Sequence, residues 1–182
     1  MDEIVKAALR KWPSVPHCHG WLALDARGDW YMRDERAQAA GPFPAVKGSR
    51  VRHDKLRDFI HRNYLHDERG CWFFQNGPQR VYVQLEAAPH VWRLQADDAG
   101  VPRVTSHTGL EARHPEPWLD EKGRLFLVCE IGGERALGLV HSLDMAVAAD
   151  AVEQGLWQPG SALHAELLKA PPCVLDPAPA LA

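Results

Sequence analysis

The sequence predicts an α+β fold: two antiparallel β-sheets, each accompanied by a helix, packed as one compact protein. Three observations predict it. Aromatic and β-branched runs at 71–75 and 80–86 flank Asn76-Gly77-Pro78-Gln79, the composition of a β-hairpin. Leu56, Phe59, Ile60 and Tyr64 recur at helical spacing in the stretch before it. A turn pattern, Asp-x-Arg/Lys-Gly, occurs at Asp25-Ala26-Arg27-Gly28, Asp67-Glu68-Arg69-Gly70 and Asp120-Glu121-Lys122-Gly123, each time entering an aromatic or apolar strand.

The elements follow in order. Residues 2–12 form a short amphipathic helix with Asp2 as cap, Ile4, Val5, Ala8 and Trp12 on one side, and Pro13 as its stop. Strands at 21–24 and 29–32 make a hairpin about Asp25–Gly28. Residues 33–48, rich in Ala, Gly and Pro, read as a mobile surface loop. A helix spans about 53–64. In the central hairpin Val81, Val83 and Leu85 alternate with Tyr82, Gln84 and Glu86, the period of two of a half-buried strand. The first set is expected to turn inward, with Arg80 and Tyr82 on the opposite face.

Strands are expected at 90–94, 103–107, 125–129 and 136–140, with turns at Asp97-Asp98-Ala99-Gly100 and Gly132-Gly133. His114-Pro115-Glu116-Pro117 reads as irregular. Ser142 caps a helix ending near Gly155, with Leu143, Val147 and Val152 inward; residues 161–169 read as a short helix. The tail from Pro171 is proline-rich and expected to be disordered. The chain thus divides into a helix and linker at 1–16, α+β units at 17–95 and 96–169, and a tail at 170–182. In the recurring turns Asp accepts backbone N–H groups and Gly takes the positive-φ position. Their recurrence suggests an internal repeat, with 21–94 and 103–154 each forming a sheet plus a helix.

At 182 residues the chain is long enough to bury about 70% of its unfolded surface without a staple. Its formal charge of −3 argues against a nucleic-acid binder. Between residues 47 and 69 seven Lys or Arg stand against four Asp or Glu, and that interleaving reads as a solvated helix face. No stretch has the apolar length of a membrane span. The four cysteines, Cys18, Cys71, Cys129 and Cys173, form no Cys-x-x-Cys pair, so reduced thiols in a cytoplasm are expected.

Catalytic motifs are missing. There is no Gly-x-Ser-x-Gly elbow and no glycine-rich phosphate loop. Of His17-Cys18-His19 only the two imidazoles can converge on an extended chain, and a metal would need two further ligands. No metal and no cofactor are therefore expected. The residues that suit recognition are Gln75, Asn76, Arg80 and Tyr82, an aromatic and a guanidinium with adjacent amides. If Arg80 is covered instead, it needs a carboxylate, with Glu86 or Asp67 as candidates.

From Gly20 to about Trp157 the chain resembles a family of bacterial domains of unknown function. The resemblance rests on Gly28-Asp29-Trp30-Tyr31, the helix with Leu56 and Phe59, Gly70-Cys71-Trp72-Phe73-Phe74 and the run from Arg80 to Pro89. It continues through a turn at 105–109 and Phe126-Leu127-Val128 before Gly132-Gly133. It implies an α+β fold with a repeated motif and a role in signal transduction, and it carries over no catalytic residues. The leading functional reading is a non-enzymatic cytoplasmic binding or regulatory module for a small ligand or protein partner. The rival is a small metal-dependent enzyme using some of the ten His.

Overall fold

The computed structural model describes residues 1–179, and the fold is α+β, built on two six-stranded sheets. Two units are formed. The first comprises Met1–Asp25, Asp29–Glu86 and the segment from Cys173 onwards; the second comprises Ala26–Gly28 and Ala87–Pro172. The seam therefore lies at Glu86/Ala87, not at 95/96, because the strand His90–Ala96 hydrogen-bonds within the second sheet.

In the first unit α1 (Glu3–Lys11) precedes β1 (Cys18–Leu24) and β2 (Trp30–Met32). Only Val5 of the predicted α1 stripe is fully buried, and Ile4 and Trp12 stay exposed. Asp2 makes no side-chain cap and bonds Arg62 instead. After β2 come α2 (Glu35–Ala40), β3 (Ser49–Arg50), α3 (Asp54–Arg62), β4 (Tyr64–His66), β5 (Trp72–Asn76) and β6 (Gln79–Leu85). Tyr64 thus leaves the predicted helix for a strand. The sheet order is β3-β2-β1-β6-β5-β4, all antiparallel except β1–β6.

Two stretches expected to be loose are held. Within 33–48, Asp34 caps α2 by accepting from the Ala37 N–H. Arg33 is buried, and its guanidinium donates to the carbonyls of Val46 and Gly41 and to Gln84 Oε1, at 3.2, 2.6 and 2.6 Å. A guanidinium stays buried only when its donors are satisfied, so the loop is shaped around that need. In the described part of the tail, the Val174 N–H donates to the Gly70 carbonyl and the Leu85 N–H to the Leu175 carbonyl. Cys173 and Pro177 are buried. The prolines hid a short apolar strap, Cys173-Val174-Leu175; residues 180–182 lie outside the described residues.

The second unit runs β7 (His90–Ala96), β8 (Pro102–Ser106), β9 (Glu111–Leu119), β10 (Leu125–Ile131) and β11 (Glu134–Val140). A 3₁₀ turn (Ser142–Asp144), α4 (Met145–Glu153), β12 (Gly160–Ser161) and α5 (His164–Leu167) follow. The order β10-β11-β7-β8-β9 is closed by β9–β10 pairing into a ring, with β12 parallel on β9. Trp92, Leu94, Leu125, Leu127 and Val140 belong to its core, and Trp92 Nε1 donates to the Leu127 carbonyl at 2.9 Å.

The segment 114–117, expected to be irregular, lies inside β9. His114 takes a positive φ of 52°, and the register to β10 shifts between Val128 and Glu130. The Leu119 carbonyl accepts from Ala162 on the β12 side. By alternation Pro115 and Pro117 present the missing N–H to that side, away from β10. In α4 the inward residues are Ala148 and Ala151, with Val147 partly buried against the same core as expected, while Leu143 and Val152 are exposed. The cause is Asp144, whose carboxylate accepts from Arg93 Nε at 2.6 Å and the Leu94 N–H at 3.0 Å, fixing the rotation at which the helix docks.

Both units share one connection pattern. A first hairpin (β1–β2, β7–β8) and a second (β5–β6, β10–β11) are joined by parallel pairing of the first strand with the last, β1–β6 and β7–β11. The helices do not correspond: α3 precedes the second hairpin and α4 follows it. The turns do. Asp25–Gly28 and Asp97–Gly100 close the first hairpins; Asp67–Gly70 and Asp120–Gly123 lead into β5 and β10. Oδ1 of Asp67, Asp97 and Asp120 each accepts two backbone N–H groups, two and four residues on, at 2.8–3.0 Å. Gly28, Gly70, Gly100 and Gly123 take φ of 82°, 76°, 79° and 72°.

Gly123→Ala meets no atom within 4 Å, so it is predicted to cost about 1 kcal/mol, the conformational penalty alone. At Gly28 a Cβ also meets His107 Cβ at 3.0 Å, so Gly28→Ala should cost more. Chemical-denaturation midpoints check the ranking; a Gly123→Ala variant as stable as the parent contradicts the turn account.

Candidate functional site

The central hairpin divides its residues between two faces of the first sheet. Register sets Phe73 opposite Tyr82 and Gln75 opposite Arg80, while Phe74 opposes Val81 and Asn76 opposes Gln79. Paired residues share a face and neighbours alternate. Gln75, Arg80 and Tyr82 therefore lie on one face and Asn76 on the other. Strand β1 joins β6 in parallel with Cys18 opposite Val81, and an irregularity follows before Leu22 meets Val83. Gly20, at φ 79°, sits in that bulge, which lets both Trp21 and Leu22 reach the face of Val81.

On that face α3 rests over the sheet. Phe59 meets Phe74 edge-on at 5.4 Å, and Trp30 meets Tyr64 edge-on at 5.1 Å. Beside these contacts is a groove of about 270 Å³ walled by Trp21, Leu22, Met32, Leu56, Ile60 and Phe74. Its polar groups are the Cys18 thiol and Asn76; Val81 completes the floor. Trp21, Met32 and Leu56 are 40%, 48% and 36% exposed. Large apolar side chains are thus left open on three separate elements around one concavity, the kind of surface that recognition sites use.

The opposite face holds the other predicted residues. Tyr82 is 3% exposed and Gln75 is 2% exposed, so neither stands out into solvent as their strand positions suggested. Tyr82 packs with Cys71 and Phe73, and its hydroxyl donates to Asp67 Oδ2 at 3.2 Å. Gln75 Nε2 donates to the Gly77 carbonyl at the hairpin tip. Arg80 is half-buried, with its guanidinium 4.5 Å over the Phe73 ring. Both carboxylates that could have paired it are engaged elsewhere, Glu86 with Lys47 at 3.3 Å and Asp67 with Arg69 at 3.1 Å. Burial alone would raise the Asp67 pKa, but the Cys71 amide and Arg69 together hold it below its ordinary value.

Burial raises the Cys71 thiol, and it pushes Cys129 and Cys173 up to about 12. Among the described residues no group of three or more His, Cys, Asp and Glu is placed to hold a metal ion, and no helix is long and apolar enough to cross a membrane. His17 and His19 both turn to Tyr82. Sequence reasoning missed the groove because Leu56 and Trp21 have the periodicity of core residues; only the placement of α3 decides that they border a concavity.

A family model, DUF2944, described as "Protein of unknown function (DUF2946)", matches residues 1–174. No curated protein matches the chain. A crystal structure of a DUF1285 family protein from Silicibacter pomeroyi DSS-3 is similar in fold, with a TM-score of 0.51 and 12% identity over 82% of this chain and 84% of that one. A second, a DUF1285 family protein from Shewanella baltica OS155, has a TM-score of 0.46 and 15% identity over 71% of this chain and 91% of that one.

The wall of the groove carries a pH dependence. His61, beside Ile60 on α3, accepts at Nε2 from Trp30 Nε1 at 2.9 Å. Burial, then the positive charge of Arg57, lowers its pKa from 6.5 to about 4. The folded state therefore binds fewer protons than the unfolded state between those values, so stability is full above 6.5 and falls towards about 4. His61→Gln should flatten this slope in thermal melts across that window; an unchanged slope contradicts the assignment.

Proposed function

We propose that this chain, which belongs to the family described as "Protein of unknown function (DUF2946)", is a non-enzymatic binding module that takes a small apolar ligand in the groove of its first unit. The observation that carries the reading is the groove's lining, in which only Cys18 and Asn76 are polar. Its volume, about 270 Å³, lies just below the usual range of small-molecule sites. The occupant is therefore a compact apolar molecule with one hydrogen-bonding group for the Asn76 amide. Asn76 thus keeps a binding role, reached from the hairpin tip.

A regulatory role in signal transduction, a bacterial source and a cytoplasmic setting belong to the same proposal. Four free thiols support the reducing compartment. The groove itself supports the regulatory reading. One wall is α3, whose polar face is exposed, so occupancy alters the seat of an element that a protein partner can reach.

The test uses N-phenyl-1-naphthylamine, a neutral apolar probe, titrated into the full chain. Saturable binding with quenching of Trp21 fluorescence is expected. Leu56→Glu should weaken it at least tenfold, because an apolar ligand would desolvate a carboxylate that has no partner in the apolar wall. Leu56 lies at the rim, so the melting temperature should hardly move. Absence of saturable binding, or unchanged affinity in Leu56→Glu, overturns the reading.

A further inference from the structure

The face of the first sheet turned away from the groove gathers basic side chains. The Cys18–Val81 register sets His17 beside Arg80 and His19 beside Tyr82 on this face. The rings bear this out. His19 stacks on Tyr82 with centroids 4.6 Å apart and planes at 14°, and His17 meets Tyr82 edge-on at 5.8 Å. Across β6, Phe73 meets Tyr82 at 5.7 Å and supports the Arg80 guanidinium. Two imidazoles and a guanidinium therefore stand over a floor of two buried rings. Asp67 beneath them is saturated by Arg69, the Tyr82 hydroxyl and the amides of Arg69 and Cys71. Among the described residues, no carboxylate pairs with Arg80.

From this geometry we infer that His17, His19, Arg80 and Tyr82 form a binding site for the phosphate group of a small phosphorylated ligand. The donors come from β6, β1 and the residue just before β1, and a phosphate presents acceptor oxygens in enough directions to meet them all. The guanidinium fork matches two of those oxygens. Stacking on Phe73 limits the freedom of Arg80 before the anion arrives, so less order remains to be imposed on binding. The site stands independently of the apolar groove.

The titration of His19 reports on occupancy. Burial lowers its pKa, and the positive charges of His17 and Arg69 lower it further. The other charged or titratable groups around it are Tyr82 and Arg80 on β6, and Asp67 and Cys71, which contact Tyr82 from the Asp67–Gly70 turn and the residue after it. A dianion placed among His17, His19 and Arg80 opposes the effect of the positive neighbours and raises the His19 pKa. By linkage, phosphate then binds more tightly as pH falls through that pKa.

The experiment is a titration of the full chain with inorganic phosphate, followed by the imidazole signals in ¹H–¹³C NMR, with acetate as the control anion. Saturable shifts at His17 and His19, and a His19 pKa that rises with phosphate, are expected. Arg80→Ala should weaken phosphate binding at least tenfold. His17→Ala should do likewise, and since His17 is exposed it keeps the test decisive if loss of the Phe73 stack impairs folding. No response at His19, the same response to acetate, or unchanged phosphate affinity in the variants overturns the inference.

Discussion

The parallel pairing of β1 with β6 is the constraint on which the first unit depends. It joins strands separated by everything between residues 24 and 79, so it cannot form as a local hairpin. Its entropic cost is modest, since each doubling of a closed loop adds only about 0.6 kcal/mol. It is offset by Leu22, Leu24, Val83 and Leu85, all nearly inaccessible to solvent and each worth about 1.5–3 kcal/mol on burial. One register then settles both faces of the sheet. With Cys18 opposite Val81, Cys18 and Val81 go to the groove while His17, His19, Arg80 and Tyr82 go to the other side. A slip of one residue in β1 would turn His17 and His19 towards the groove and Cys18 away from it.

The second unit obeys the same rule and reaches a different end. There β7 pairs in parallel with β11, Gly138 opposite His90 and Val140 opposite Trp92. The difference is β9. It is a single nine-residue strand that pairs with both β8 and β10. In the first unit the corresponding places are held by two short strands, β3 and β4, with α3 between them. A continuous β9 closes the ring around Trp92 and Leu127, and its interior is filled. The interrupted version leaves the sheet open, and a single nine-residue helix does not cover its face, which is why a concavity remains beside Leu56 and Ile60.

Local chemistry in the sequence carried much of this. The Asp-to-Gly turns at 25–28, 67–70 and 120–123 were legible because a carboxylate at the first position and a positive-φ glycine at the fourth leave few other structures. Their fourth relative, Asp97-Asp98-Ala99-Gly100, escaped the pattern because it lacks the basic third residue; the backbone bonds to Asp97 Oδ1 show that the basic residue is not what makes the turn. The alternation along 80–86 correctly separated Arg80 and Tyr82 from Val83 and Leu85. It could not show that β1 would lay His19 against Tyr82, since that contact depends on a partner sixty-odd residues away in sequence. Long-range satisfaction of polar groups was equally hidden. Arg33 reads as a loop residue until its acceptors are known, and the strap at 173–175 reads as a proline-rich tail until the Leu85 amide is seen to need its carbonyl.

Inter-strand nuclear Overhauser effects on the isotope-labelled chain read the β1–β6 register without intermediaries. Contacts are expected between the backbone protons of Leu22 and Val83 and of Leu24 and Leu85, running in the same direction along both strands. Ring contacts between His19 and Tyr82 are expected as well. Contacts that instead run in opposite directions, or that place His17 beside Val81 and Cys18 beside Tyr82, would contradict that register, because they would send the β1 residues to the wrong faces of the sheet.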